Sequence, residues 1–302
     1  MRTYDFWRVD VFTTQPLAGN PLAVFPRAKG LSDGEMLAIA REMNISETTF
    51  VLPPSDPTAN YRNRIFTPGG EIPFAGHPSI GTAYVAAREG LIPLRDGVVV
   101  ARQEVGVGVL PLELHVRGGL VDRVVMTQGK PRVGKRIQNV RSLANALGIE
   151  TRDITTTKLW PQVTSTGIPS LQVAVRTRDV VREMVPDMRA LADLLARIDR
   201  EAGAYIFAFE AEGDADLHAR GFFPQYGVTE DPGTGSAAGA CGAYLAANRR
   251  LPAKEWFAIE QGIEVHHPSR IEVSVAVERG RPKTVWVAGQ VVPVMQGTLT
   301  LP

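Results

Sequence analysis

Apolar residues open the chain in short runs. Val9 to Phe12 and Leu22 to Phe25 are mostly hydrophobic and are separated by Gly19-Asn20-Pro21, which predicts two strands joined through a turn. The period then changes. Leu31-Ser32-Asp33 offers Ser32 or Asp33 as an N-cap, and Met36, Ile39, Ala40 and Met43 recur at helical spacing, so a helix with one apolar face is expected. A second such helix is expected from about Pro186 through Ile198, with Leu191, Leu194, Leu195 and Ile198 apolar. The segments after Pro78 and after Gly235 differ in kind, because small and apolar residues cover most of their circumference, the pattern of a helix buried all round. Strands are expected after each: Val98 to Ala101, Leu110 to Val116 and Val121 to Met126 in the first half, then Trp256 to Glu260, Ile271 to Val277 and Thr284 to Val287 in the second.

The two halves also resemble each other residue by residue. Arg64-Ile65-Phe66-Thr67-Pro68 recurs as Arg220-Gly221-Phe222-Phe223-Pro224, and Ala83-Tyr84-Val85-Ala86-Ala87 as Ala243-Tyr244-Leu245-Ala246-Ala247. Gln103 lines up with Gln261, and Gly19-Asn20-Pro21 with Gly167-Ile168-Pro169. The second copy carries four extra residues between Pro224 and Ala243; if all precede Asp231, Glu71 lines up with Asp231. Strands around one buried helix, twice over, predict an α+β fold of two similar lobes, each a curved, mostly antiparallel sheet. The expected divisions are 1–130, 131–288, and a terminal strand 289–302 that either lobe could claim, with the boundary in the Gly, Pro and basic patch from Gly129 to Lys135.

Charge narrows the function. With 33 Lys and Arg against 32 Asp and Glu over 302 residues, the formal charge is +1, which argues against a nucleic-acid or anionic-membrane surface as the main role. Cys241 is the one cysteine, so a disulfide framework, a cysteine zinc site and a two-cysteine catalytic pair are excluded. No apolar run approaches the ~20 residues that span a bilayer, and Met1-Arg2-Thr3-Tyr4-Asp5 lacks a signal-peptide layout. A cytoplasmic protein of a reducing compartment is expected.

Candidate chemistry gathers at the mouths of the two buried helices, Pro73-Phe74-Ala75-Gly76-His77-Pro78-Ser79 and Glu230-Asp231-Pro232-Gly233-Thr234-Gly235-Ser236. Small residues let a ligand approach the backbone, and a helix N-terminus offers N–H groups and a positive dipole end to an anion. Helix capping by Ser, Thr or Asp231 explains part of both strings equally well, though not His77. Glu47, between the first helix and the strand Phe50 to Leu52, is a carboxylate out of pattern; burial would raise its pKa into the range of a general acid/base, whereas exposure would make it an ordinary surface glutamate. Gly233-Thr234-Gly235-Ser236-Ala237-Ala238 spells a dinucleotide fingerprint, but Asp231-Pro232 stands where the strand should end. The five histidines show no metal-ligand spacing, and Cys241 reads as a small buried hydrophobe.

These strings together resemble the PhzF-like (phenazine biosynthesis-like) family, of diaminopimelate epimerase-like fold. The resemblance runs from Val9-Asp10-Val11-Phe12 through Asn44-Ile45-Ser46-Glu47-Thr48 and Phe74-Ala75-Gly76-His77-Pro78 to Glu230-Asp231-Pro232-Gly233-Thr234-Gly235-Ser236-Ala237. It implies a homodimeric, cofactor-independent isomerase of a small carboxylate such as a dihydro-hydroxyanthranilate, bound between two lobes. It assigns Glu47 as acid/base, His77 and Asp231 as its catalytic partners, and Ser46, Gly76, Gly235 and Ser236 as substrate-binding. The paired cysteines of related epimerases are replaced by Ala75 and Pro232, so two-thiol chemistry is closed to this chain. A carboxylate-binding protein on the same fold, without turnover, is the alternative.

Overall fold

The computed structural model describes residues 1–302, and the chain divides into two units: Met1–Met126 with Ala288–Pro302, and Thr127–Val287. In the first, β1 (Arg2–Val11) and β2 (Asn20–Phe25) pair antiparallel across a turn that needs Gly19. Its φ is +73°, and a Cβ there would lie 2.5 Å from the Val11 carbonyl oxygen. Helix α1 (Asp33–Met43) begins at Ser32, whose hydroxyl accepts from the Glu35 amide while the Glu35 carboxylate accepts from the Ser32 amide. It stops at Asn44, left-handed at φ 48°, and the chain enters β3 (Glu47–Leu52) parallel to β2. Then come β4 (Tyr61–Thr67), antiparallel to β3, and the short β5 (Gly70–Ile72), antiparallel to β4. After α2 (Gly76–Arg88), β6 (Gly97–Val105) runs parallel to β4 and continues antiparallel into β7 (Gly108–Arg117) and β8 (Leu120–Thr127). The C-terminal strand Val291–Leu301 pairs with the whole of β1.

The sheet of this unit is covered on both faces, which is why β2 and β3 are nearly all buried. On one face Met36, Ile39 and Ala40 of α1 cover Phe25, Phe50 and Phe66. Those rings and Phe6 form a row with centroids 5.1–5.5 Å apart. On the other face lies α2, buried almost all round against β1, β2 and β3.

The second unit contains β9 (Arg132–Arg136), α3 (Arg141–Leu147), α4 (Thr151–Thr155), β10 (Gln162–Ser165), β11 (Pro169–Ala174), α5 (Arg178–Glu183), α6 (Met188–Ile198), β12 (Gly203–Ala208) and β13 (Leu217–Phe223). A 3-10 turn at Pro224–Tyr226, β14 (Val228–Asp231), α7 (Gly235–Ala247), β15 (Phe257–Gln261), β16 (Ser269–Glu278) and β17 (Arg281–Gly289) complete it. Its pairings repeat the first unit in order: β11 parallel to β12, β12 and β14 antiparallel to β13, β13 parallel to β15, β15 antiparallel to β16. Helix α7 is again the buried one. The chain is thus the α+β fold of two pseudo-symmetric halves that its sequence predicts. No helix is long and apolar enough to cross a membrane.

Register corrects two of the sequence matches. Leu22 pairs with Glu47 as Ser170 pairs with Gly203, and Tyr61 with Gln103 as Leu217 with Ile259, so Gln103 corresponds to Ile259 and not to Gln261. Arg64 grips Glu71 with a two-pronged guanidinium–carboxylate contact, and Arg220 grips Glu230 in the same way. Glu71 therefore corresponds to Glu230, one residue short of Asp231. The offset is 156 positions at Arg64 and Arg220 and 159 at Glu71 and Glu230, so three extra residues sit in the β13–β14 hairpin, in its 3-10 turn and register shift.

Candidate active site

Three neighbouring segments of the first unit build one polar cluster. The left-handed Asn44 ends α1 and aims the chain so that β3 starts at Glu47, whose side chain is 17% exposed. One residue earlier the Ser46 hydroxyl donates to Oδ1 of the buried Asn20 at 3.4 Å. The start of α2 brings His77 in, its Nε2 lying 3.6 Å from Oε2 of Glu47. Burial pushes the imidazole down to about 3, against an opposing hydrogen bond to the Pro21 backbone, so His77 is neutral at pH 7. Nε2 has no hydrogen-bond partner of its own, so the bond to the Pro21 carbonyl uses Nδ1–H and leaves the Nε2 lone pair facing Glu47.

In the second unit β14 ends at Asp231, which is buried. The Thr234 hydroxyl donates to its carboxylate, and Gln261 fastens the loop from the other side. The Gln261 amide donates to the Asp231 carbonyl at 2.6 Å and to the Thr234 hydroxyl at 3.0 Å, and its oxygen accepts from the Thr234 amide at 3.1 Å. Gly235 and Ser236 form the first turn of α7, and the Ser236 carbonyl accepts from the Thr166 hydroxyl at 3.4 Å.

Capping does not account for these strings. Neither α2 nor α7 has a side-chain cap: Ala75 holds the cap position of one, and the Thr234 hydroxyl at the other is turned to Asp231. Ser79 donates to the Ala75 carbonyl at 2.8 Å, and Asp231 belongs to the strand before the loop. Both helices therefore present first-turn N–H groups, at Gly76 and His77 and at Gly235 and Ser236, with no acidic side chain in the turn. An anionic group meets donors and a favourable dipole end there. Cys241 is fully buried, and burial pushes its thiol up, as befits an inert core residue.

Sequence reasoning placed Glu47, His77, Ser46 and Gly76 on the first of these clusters and Asp231, Gly235 and Ser236 on the second. It missed Asn20, the Pro21 carbonyl that fixes the His77 tautomer, and Gln261 as the clamp. Gly19-Asn20-Pro21 carried a signal only as a turn.

An α+β chain in which one strand–helix order occurs twice, with polar residues at the mouth of each buried helix, belongs to the class of the racemase- and epimerase-like folds. A crystal structure of a probable proline racemase from Agrobacterium radiobacter shares that fold, with a TM-score of 0.67 at 15% identity over 99% of this chain and 93% of the other. Within the class the assignment is specific: residues 9–297 match the family model described as phenazine biosynthesis-like protein, PhzC-PhzF, and the chain belongs to that family. The crystal structure of a PhzF-family phenazine biosynthesis protein from Bacillus anthracis superposes with a TM-score of 0.87 at 30% identity over 100% of both chains. Trans-2,3-dihydro-3-hydroxyanthranilate isomerase of Pseudomonas aeruginosa is 35% identical over 283 residues, 93% of this chain and 94% of that protein. An uncharacterized isomerase of Clostridium acetobutylicum is 33% identical over 310 residues, 100% of this chain and 99% of that one.

Proposed function

We propose that this member of the family is an isomerase that moves a proton within a small carboxylate-bearing metabolite of the dihydro-hydroxyanthranilate kind, with Glu47 as acid and base. The observation that carries the reading is the Glu47–His77 pair: a carboxyl group 3.6 Å from the lone-pair nitrogen of a buried, neutral imidazole. Such a pair accommodates one proton, which Glu47 can direct to His77 or deliver to a substrate carbon. His77, being uncharged, orients the carboxyl group without adding an opposing charge. The first-turn amides of α2 and α7 serve as donors to the substrate carboxylate and to the negative charge that develops as the proton leaves. Asp231 binds a donor group of the substrate, and Ser46, Gly76, Gly235 and Ser236 are the substrate-binding residues.

One base suffices for this chemistry. Gly203 occupies in the second unit the place of Glu47 in the first, so there is no matching second carboxylate. A proton taken by Glu47 is returned by Glu47, as an internal shift requires and a two-base racemisation does not. Acid, base and charge-stabilising donors all come from the chain, so no cofactor is called for.

The test is deuterium wash-in. Protein and its Glu47→Gln variant are incubated in deuterated water with cyclic and amino-acid carboxylates, including dihydro-hydroxyanthranilate, and the products read by mass spectrometry. A one-dalton gain that vanishes in Glu47→Gln is expected, with the variant's melting temperature nearly unchanged. A gain that persists in the variant overturns the role of Glu47. Ligands that raise the melting temperature without any exchange would mark a binding protein instead.

A further inference from the structure

The two units differ at one internal ion pair. In the first, Arg62 on β4 lies 3.9 Å from Glu104 on β6, whose carboxylate also accepts from the Ser55 and Asp56 amides at 2.6 and 3.0 Å. The same register position in the second unit holds His218 on β13 beside Glu260 on β15, and Glu260 accepts from the Glu212 amide at 2.8 Å. A permanently charged arginine in one half is thus a titratable histidine in the other. His218 is fully buried, and both its ring nitrogens face carboxylates: Nδ1 lies 2.8 Å from Glu260 and Nε2 lies 2.8 Å from Glu264. Carboxylates only accept, so both bonds exist together only when the ring carries both protons.

The second carboxylate sits in a turn that touches the candidate site. Glu264 belongs to the turn Gly262–His267, closed by a bond from the His267 amide to the Gly262 carbonyl at 2.9 Å. At Gly262, φ +82°, a Cβ would lie 2.4 Å from the Pro232 carbonyl oxygen, so this turn packs directly on the loop before α7. Between Glu260 and the turn comes Gln261, which clamps Asp231 and Thr234. We propose that His218 is a positioning residue whose imidazolium, by bridging Glu260 and Glu264, holds the Gly262–His267 turn against Pro232 and keeps the Asp231–Thr234 loop in the shape that presents the α7 amides.

Other charges face this cluster. Arg178 of α5 places Nε 3.7 Å from Glu260 and pairs with Glu212 at 2.6 Å, and its backbone amide donates to Glu210. Arg220, paired with Glu230, acts on Glu264 from β13, and the turn itself carries His266 and His267. Burial alone would push His218 down, but its hydrogen bonds to Glu260 and Glu264 outweigh this and raise it. The bridge therefore persists to higher pH than an unassisted histidine would allow and opens as pH rises through the raised value, when one carboxylate comes to face a lone pair.

The consequence for catalysis rests on the α7 mouth being a substrate site, whereas the brace is measured without substrate, so the two can fail separately. The protein is labelled at histidine and at backbone nitrogen and titrated by NMR from about pH 5 to 10, across the ordinary histidine range. The His218 ring is assigned by comparison with His218→Gln, which separates it from His266 and His267. Expected are a His218 midpoint above that of an ordinary histidine and amide shifts at Thr234 and Gly235 that follow the same midpoint. Glu264→Gln, at the partly exposed end of the bridge, should lower both midpoints together by about one pH unit or more. A ring neutral throughout, or Thr234 and Gly235 amides indifferent to its titration, overturns the proposal.

Discussion

Burial makes His77 a liability in acid. Its folded value is pushed down to about 3, whereas in the unfolded chain an exposed histidine titrates near about 6.5. Between those values the unfolded state binds the extra proton, so stability falls as pH drops below the unfolded value. The loss expected by pH 5 is about 2 kcal/mol. His77→Gln should flatten that limb. Urea midpoints at pH 5 and 7 for both proteins check it, and parallel slopes would show that the imidazole is not buried in neutral form. At this scale the sequence was informative wherever a side chain broke its pattern: Glu47 ahead of a core strand and His77 in an apolar string. It was silent on Pro21, because the group that fixes His77 is a backbone carbonyl, and on Gln261, because a clamp is defined by a loop brought to it from elsewhere in the chain.

The duplicated elements offer internal controls. Gly203 starts β12 where Glu47 starts β3, but a Cβ at Gly203 would lie 2.2 Å from Cδ1 of Phe223 and 2.9 Å from the Phe222 carbonyl oxygen. Packing excludes a side chain there, and Gly203→Ala should cost about 1–3 kcal/mol in chemical denaturation; an unchanged midpoint would mean that Phe223 yields freely. The arginine forks diverge similarly. Arg64 holds Asp33 and Glu71, which are 83% and 41% exposed, while Arg220 and Glu230 are both about 10% exposed. Arg220 also donates to the Val181 and Met184 carbonyls where α5 ends. Arg220→Met leaves an unpaired buried carboxylate and is expected to cost about 3–5 kcal/mol, against roughly 1 or less for Arg64→Met. Equal losses would contradict the burial difference. Helices α1 and α6 were legible because their apolar residues recur over three turns. Helices α3, α4 and α5, with 7, 5 and 6 residues, are too short to show a period. The repeat was visible in its apolar strings, but its register was not, since three added hairpin residues raise the offset at Glu230, it is back to 156 by Ile259, and only the strand pairings locate these changes.

At the scale of the whole chain, the last strand returns to the first. Val291–Leu301 pairs with β1 from Arg2↔Leu301 to Val11↔Val291, so the first unit is closed only after the second has been synthesised. No local pattern announces this, because a strand's partner is a tertiary fact and Gln290 to Val294 reads the same beside either half. The pairing covers a whole edge of β1, since without it that edge presents unpaired N–H and C=O groups. Removing residues 291–302 should therefore abolish amide exchange protection in β1 and β2, which carry Asn20 and Pro21 beside Ser46 and His77, while β12 and β13 keep theirs. Exchange followed by mass spectrometry on the full and shortened chains distinguishes the outcomes. Protection retained in β1 would mean that β2 alone sustains it. Protection lost equally in β12 and β13 would mean that the units unfold as one, and that the edge of the first governs the stability of both.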